Sequence, residues 1–263
     1  MIKNLIKAIC NKLDHNVAGK GTWAKVYRNG DVAEKHFYDA PIDIVEKEAR
    51  NQAFAHKAGL PVPAVHGIRK LDDGTIVLDM AYISGKALMR FGMNENQMRE
   101  VFTTLVKLQI EVHSVSAVSL PRMTERFKER IQDDSLHLAA QAKERLLTLL
   151  SSLDKGCTSL CHGDFHPLNV MFDGERHWII DWTDAGAGNP LIDVARVYLL
   201  ARCTLSSSVA EMYLRCYCRE AKVNSEDVLA WLPIWAALRL AEKTTWRERI
   251  ILRKIVKKWL RDR

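Results

Sequence analysis

The 263 residues are 48% apolar and carry a net charge of +7, enough core-forming material for one large domain or two small ones. No uninterrupted apolar run reaches the roughly 18 residues of a membrane span, and "MIKNLIKAICNKLDH" interleaves charge with short apolar stretches, so it reads as a short amphipathic helix and not as a signal peptide. Between Trp246 and Arg263 eight Lys or Arg face two acids, which puts +6 in that segment and leaves about +1 elsewhere; this excludes a nucleic-acid-binding face spread over the fold.

The first third alternates in the manner of strands. "AGKGTWA", with Gly19 and Gly21, is a Gly-rich turn whose backbone N–H groups could approach phosphates closely. "KVYRNGDVAEKHF" holds two short strands about Asn29-Gly30, a tight-hairpin signal. Period-two alternation puts Lys35 on the face of Ala33 and Phe37. "APIDIVEKEARNQAFAHKAG" is helical in pattern, from near Pro41 to Gly59. "LPVPAVHGI" is a strand-like connector and "GTIVLDMAYI" an apolar strand, after which Gly85 marks a change of character. From about Asn94 to Leu150 the pattern is helical, broken near "SLPRM". A lone hairpin follows, and the remainder is helical again. Strands first and helices afterwards predict an α+β fold of two lobes: a small antiparallel-sheet lobe over 1–82 and a mainly helical lobe over 83–263. Cys10, Cys157, Cys161, Cys203, Cys216 and Cys218 follow no disulfide or zinc spacing, and predict free, mostly buried thiols in a reducing cytoplasm.

The lone hairpin carries the chemistry. Val170-Met171-Phe172 and Trp178-Ile179-Ile180 are its strands, joined around Asp173-Gly174. Closing it brings Asn169, just before one strand, to Asp181, just after the other. An amide oxygen and a carboxylate meeting there suit a hard divalent ion such as Mg²⁺. Asp164 precedes Asn169 with four residues between them. D-x-x-x-x-N is the spacing of the kinase catalytic loop, in which the Asp accepts the proton of an attacking hydroxyl and the Asn holds a metal. His162 is expected to shape this loop by hydrogen bonding; His166 either lies near phosphate or packs. Asp193, in the apolar run "NPLIDVAR", reads as a buried, satisfied carboxylate.

"CHGDFHPLNV" and "IIDWTDAGAGNPLIDVAR" together resemble the signature of the aminoglycoside phosphotransferase and choline kinase-like family. These are small-molecule kinases with a protein-kinase-like fold. The resemblance implies Asp164 as catalytic base, Asn169 and Asp181 as Mg²⁺ ligands, and Asp193 as a structural support of the catalytic loop. It implies ATP, with Gly19 and Gly21 at the phosphates, although Ala24 stands where protein kinases keep a third glycine. Lys35 would reach the α- and β-phosphates, paired with an acid of the following helix. Glu46 and Glu48 compete and, two residues apart, cannot share a face; apolar neighbours and the placement before "AGLPVP" select Glu48. The adenine would lie against main-chain groups of Met80, Ala81, Tyr82 and Ile83.

The function so implied is ATP-dependent transfer of a γ-phosphoryl group to the hydroxyl of a small molecule. Alternatives are a protein kinase, a membrane-associated kinase of a lipid-linked acceptor, or a silent kinase-like binding module. The short stretch from Asp181 to Gly188 leaves no room for a peptide-docking loop, which disfavours the first alternative. The full set of expected catalytic residues disfavours the last. Asp184 and Glu242 are the acids expected near the acceptor. Ile251, Leu252, Ile255, Val256, Trp259 and Leu260 recur at helical spacing, so Trp246–Arg263 is expected to form an amphipathic helix whose basic face could make weak contact with an anionic surface. That charge also makes a polycationic aminoglycoside an unfavourable acceptor.

Overall fold

The computed structural model describes residues 17–20, 24–90 and 92–262. Gly21, Cys10 and the N-terminal amphipathic stretch lie outside them. In chain order the elements are β1 (Val17–Lys20), β2 (Ala24–Asn29), β3 (Val32–Phe37), α1 (Ile42–Lys57), β4 (Val65–Lys70), β5 (Ile76–Ala81), β6 (Lys86–Ala87), α2 (Glu95–His113), α3 (Met123–Gln132), α4 (Ala140–Asp154), β7 (Ser159–Cys161), β8 (Val170–Phe172), β9 (His177–Ile179), β10 (Gly186–Gly188), α5 (Leu191–Thr204), α6 (Ser207–Ala221), α7 (Ser225–Leu229), α8 (Leu232–Leu240) and α9 (Trp246–Arg261). Internal contacts divide the chain into two compact units. Of the described residues, one holds those up to Asn94 with His166–Ala185; the other holds Glu95–Phe165 with those from Gly186 onward.

The first unit is built on an antiparallel sheet of order β1-β2-β3-β5-β4. Ala24, Ala33, Phe37, Ile76, Leu78 and Met80 on its inner face pack with Val45 and Ala49 of α1. The β2–β3 hairpin turns on Gly30 and Asp31, with Asn29 opposite Val32, one place later than the Asn29-Gly30 reading. Gly30 takes a positive φ of 60° and Asp31 does not, the pattern of a type II′ turn, which has Gly at its first central position.

The lone hairpin, β8–β9, belongs to this unit and not to the helical one, because β6 adds to it as a third strand. Contacts therefore do not follow a single cut between residues 82 and 83. Gly85 permits the pairing: a Cβ there would stand 2.7 Å from the Phe172 carbonyl oxygen. Asp173 fastens the turn. Its Oδ1 accepts the N–H groups of Glu175 and Arg176 at 2.8 and 2.9 Å, and its Oδ2 accepts the Trp178 indole N–H at 2.6 Å.

The second unit is helical, with β7 and β10 as a short antiparallel pair that the sequence did not announce. The predicted helical run to Leu150 is broken twice: between α2 and α3, where "SLPRM" lies, and again before α4 at a 3₁₀ turn, Asp134–Leu136. Helix α5 is apolar on most sides, with Ile192, Val194, Ala195, Val197, Tyr198, Leu199 and Ala201 all buried, the mark of a central helix. Helix α9 starts on a Thr245 cap that accepts the Glu248 N–H at 3.2 Å. Arg145 of α4 donates to the carbonyls of Trp259 and Leu260 near its end. The cysteines described are free, but only Cys161 is buried; Cys157, Cys203, Cys216 and Cys218 are half-buried, contrary to the mostly buried expectation. Among the described residues no helix is long and apolar enough to cross a membrane.

The three N–H bonds to Asp173 hold its carboxyl down at about 2, below the roughly 3.9 of an unfolded chain. A depressed carboxyl contributes stability above its unfolded value and loses it as pH falls through the folded one. Asp173→Ala is thus expected to lower the melting temperature at neutral pH, and the deficit should shrink steadily as pH falls from about 4 toward 2. Melting curves of both proteins across that window check this.

Candidate active site

Lys35 lies on β3 between Ala33 and Phe37, and its ammonium meets Glu48 Oε1 at 2.6 Å. Helix phase decides this partner. Val45, Glu48, Ala49, Gln52 and Ala55 form the buried stripe of α1, while Glu46 is exposed. The same ammonium stands 3.3 Å from Asp181 Oδ1. Thr183 Oγ1 reaches both acids, at 2.8 Å from Glu48 and 3.1 Å from Asp181. Burial works against the charge on Lys35, but Glu48 and Asp181 outweigh it and raise the ammonium above its ordinary value. Burial pushes the Glu48 carboxyl up, against the pull of Lys35. The Asp181 side chain is 45% exposed.

The hairpin closes as its spacing predicts. The Ile180 N–H donates to the Asn169 carbonyl at 3.0 Å, so the residues flanking the two strands meet. Asp181 follows at φ 67°, a conformation sparsely open to L-residues, although Asp adopts it more readily than most. Such strain is held by its surroundings. Here Asn51 of α1, fully buried, donates its amide to the carbonyls of Trp182 at 3.0 Å and Ala185 at 3.2 Å. Asn51 and Thr183 were not anticipated; Asn51 was legible only as a polar residue on the buried stripe of α1.

The expected adenine segment is partly committed. Ala81 N–H donates to Ala64 and Tyr82 N–H to Asp31, each at 2.9 Å, and Met80 is a core residue of the sheet. A base bound there would use other main-chain groups of the segment. Tyr82 carries the Arg28 guanidinium over its ring at 4.4 Å. Gly19 lies in β1 beside the register irregularity that ends at that residue.

In the second unit the turn that leads to Asp164 is held from α5. Asp193, with no exposure, accepts the His162 N–H at 2.7 Å and the Gly163 N–H at 2.8 Å. His113 Nε2 stands 3.2 Å from the same carboxylate, and its Nδ1 stands 3.2 Å from the Tyr217 hydroxyl. Burial opposes the Asp193 charge, yet the hydrogen bonds from His113 and the loop hold its carboxyl below its ordinary value. Gly163 sits at φ 81°. His162 is fully buried, and its Nδ1 accepts the Asp164 N–H at 3.3 Å, the loop-shaping role expected of it. His113, Cys161 and Asp193 place donor atoms within 4.8 Å of one another. Both Asp193 oxygens already accept N–H bonds, and burial pushes the Cys161 thiol well up, away from the thiolate a metal needs.

Asp164 Oδ1 accepts Arg196 Nε at 2.8 Å and lies 2.7 Å from Nη2. Sequence reasoning passed over Arg196 as the partner of Asp164, although "NPLIDVAR" contains it. Glu242, expected near the acceptor, is paired with Arg130 at 2.8 Å and with Arg239.

A β-sheet unit with a buried Lys–Glu pair beside an Asp, together with a helical unit built around an HGD turn, defines a phosphotransferase of the protein-kinase-like class. Residues 32–233 match the phosphotransferase enzyme family, and the chain belongs to that family. Solved structures share the fold. Choline kinase LicA from Streptococcus pneumoniae superposes at TM-score 0.62 with 16% identity, covering 97% of this chain and 96% of that one. A thermostable mutant of aminoglycoside phosphotransferase APH(4)-Ia, in complex with AMP-PNP and hygromycin B, superposes at 0.67 with 16% identity and 92% coverage of each chain. Protein LicA of Haemophilus influenzae is 33% identical over 60 residues, 23% of this chain and 22% of that protein, so the match spans about a fifth of that relative's length.

Asp193→Ala would leave the main-chain donors of His162 and Gly163 and the His113 ring without their buried acceptor. Unfolding in urea is expected to show a loss of several kcal/mol, at about 1–3 kcal/mol for each buried donor left unsatisfied.

Proposed function

We propose that this protein is an ATP-dependent kinase that moves the γ-phosphoryl group to a hydroxyl of a small molecule. The observation that carries this reading is the Lys35–Glu48 ion pair with Asp181 at 3.3 Å from the same ammonium. That trio suits a nucleotide phosphate better than a core salt bridge, because the Asp181 side chain keeps 45% of its surface exposed. Functionally, residues 1–82 would bind nucleotide, with Gly19 and Gly21 at its phosphates, and 83–263 would carry the catalytic loop and the acceptor.

Asp164 acts as base. The acceptor oxygen forms a bond to the γ-phosphorus, its proton passes to the Asp164 carboxylate, and the bond from the γ-phosphorus to the bridging oxygen breaks as ADP leaves. Asn169 and Asp181 offer the amide oxygen and carboxylate that fit Mg²⁺. When bound, Mg²⁺ neutralises charge that develops on the phosphates. Lys35, held by Glu48, orients the α- and β-phosphates.

The acceptor is expected to be a neutral or anionic hydroxyl compound. Both Asp164 and Glu242 already have arginine partners, so neither is an uncompensated carboxylate for a polycation. The outer face of α9 presents Arg253, Lys254, Lys257 and Lys258 with exposed Trp246, which supports weak contact with an anionic surface. A cytoplasmic setting, expected from the free cysteines, fits this activity.

Asp164→Ala should reduce phosphoryl transfer by roughly 10²–10⁴-fold or more while MgATP affinity stays nearly intact. Turnover near wild type in a folded variant would remove Asp164 from the mechanism. Asp181→Ala should abolish the Mg²⁺ dependence of nucleotide binding, and Asn169→Ala should weaken it less, because the carboxylate carries the charge. Calorimetric titration with and without Mg²⁺ decides this; a wild-type Mg²⁺ response in both variants would place the metal on other residues.

A screen of MgATP turnover against choline, sugar alcohols, acidic hydroxy compounds, kanamycin, hygromycin B and a generic protein substrate tests the acceptor class. For kanamycin, kcat/KM is expected to fall below about 10⁴ M⁻¹s⁻¹, the low end of the usual enzyme range, and below that of the best neutral or anionic acceptor. Efficient kanamycin phosphorylation would overturn the charge argument.

A further inference from the structure

Helix α5 grips the segment His162–Asp164 at two points one helical turn apart. Asp193 takes the main-chain N–H groups of His162 and Gly163. Three residues later, on the neighbouring face position, Arg196 takes the Asp164 side chain, with Nε at 2.8 Å and Nη2 at 2.7 Å from the single oxygen Oδ1. We propose that Arg196 is a positioning residue of the reaction, which fixes the Asp164 carboxylate in the orientation from which it takes the acceptor's proton. The inference rests on Asp164 as base.

The guanidinium is built to stay where it is. It lies over the Trp235 ring at 4.7 Å from the centroid. Trp235 is 2% exposed and donates its indole N–H to the Ile192 carbonyl at 2.8 Å. Phe127 meets it edge-on at 4.9 Å. A planar fork stacked on an immobilised ring loses little entropy per bond formed, in a way a lysine cannot match. Arg196 also belongs to a larger charge lattice. Burial opposes the charge of Glu242, and Arg196, then Arg239 and Arg130, hold its carboxyl below its ordinary value. Arg239 in turn bonds Glu248 Oε1 at 2.8 Å. Loss of Arg196 therefore leaves Glu242 with two arginines, so the fold retains its support while Asp164 loses its guide.

The Nε hydrogen bond and the Nη2 ion-pair contact converge on one oxygen and hold it in place. Errors of about 1 Å in a reacting group cost on the order of 10²-fold in rate. The effect belongs in the chemical step and not in nucleotide affinity.

The test uses the full chain with MgATP and, in parallel, choline, kanamycin and water as acceptors, plus any better acceptor found in the screen. Wild type, Asp164→Ala, Arg196→Ala and Arg196→Lys are compared, with melting curves to verify folding. Arg196→Ala is expected to lower kcat on the order of 10²-fold with KM for MgATP unchanged. Arg196→Lys, a single point donor without the fork or the stack, should fall between the two. Guanidinium chloride at millimolar concentrations, far below those that denature, should restore part of the activity of Arg196→Ala but none of that of Asp164→Ala, which no purely structural role of Arg196 would produce. If Asp164→Ala is inactive and Arg196→Ala keeps a wild-type kcat, or loses only MgATP affinity, the positioning role is overturned and the base assignment stands. If Asp164→Ala retains wild-type kcat, the base assignment itself fails and the inference falls with it. Should Arg196→Ala not fold, the lysine variant decides: a reduced kcat at unchanged KM supports the role, and a wild-type kcat overturns it.

Discussion

A carboxylate with no solvent exposure is costly unless its oxygens are met by donors, and Asp193 meets that demand with two main-chain N–H groups and an imidazole. The constraint runs both ways. The carboxylate is tolerable because the loop turns its N–H groups inward, and the loop keeps that turn because the carboxylate is there. Gly163 supplies the left-handed backbone this needs, and the buried His162 ring accepts the next N–H, that of Asp164. The residue proposed as base is thus delivered by a chain of hydrogen bonds that begins inside α5, and Arg196, one turn along the same helix, extends the grip to its side chain.

The first unit solves a related problem with opposite signs. A lysine ammonium placed between Ala33 and Phe37 is buried on an apolar face, and burial alone would favour its neutral form. Glu48 and Asp181 reverse this and keep the cation. Glu48 is fixed by the phase of α1, and Asp181 by a hairpin whose ends are stitched through Asn169 and Ile180. Asp181 stands in a strained conformation, and the buried amide of Asn51 secures the residues that follow it. The Asp181 side chain is left partly facing solvent, which is what the proposed nucleotide site requires of it.

Charge elsewhere follows the same economy. The acids near α8 and α9 are matched with arginines: Glu242 with Arg130 and Arg239, Glu248 with Arg239. The uncompensated cations are exported to the outer face of α9, where water and salt screen them. This arrangement lets a strongly basic segment cap a helical unit without lending its charge to the interior; the pairing of the acids with arginines underlies the preference proposed for neutral or anionic acceptors.

The sequence by itself determined the features that are local or periodic. Alternation placed Lys35 between Ala33 and Phe37, helix phase chose Glu48 over Glu46, and the Asp173-Gly174 turn joined Asn169 to Asp181; each depends on a repeat of two or 3.6 residues or on a short turn. The HGD and IIDW spacings were enough to indicate the family. Only the tertiary structure decided what depends on distant pairing. It gave β6 to the hairpin, and so the segment 166–185 to the first unit, because a strand edge takes whichever partner the fold presents. It also committed the N–H groups of Ala81 and Tyr82 to Ala64 and Asp31. Arg196 stayed hidden for the same reason: an arginine at the end of "NPLIDVAR" has nothing local to mark it, and its partners, Asp164 32 residues earlier and the Trp235 ring on another helix, meet it only when the helices pack.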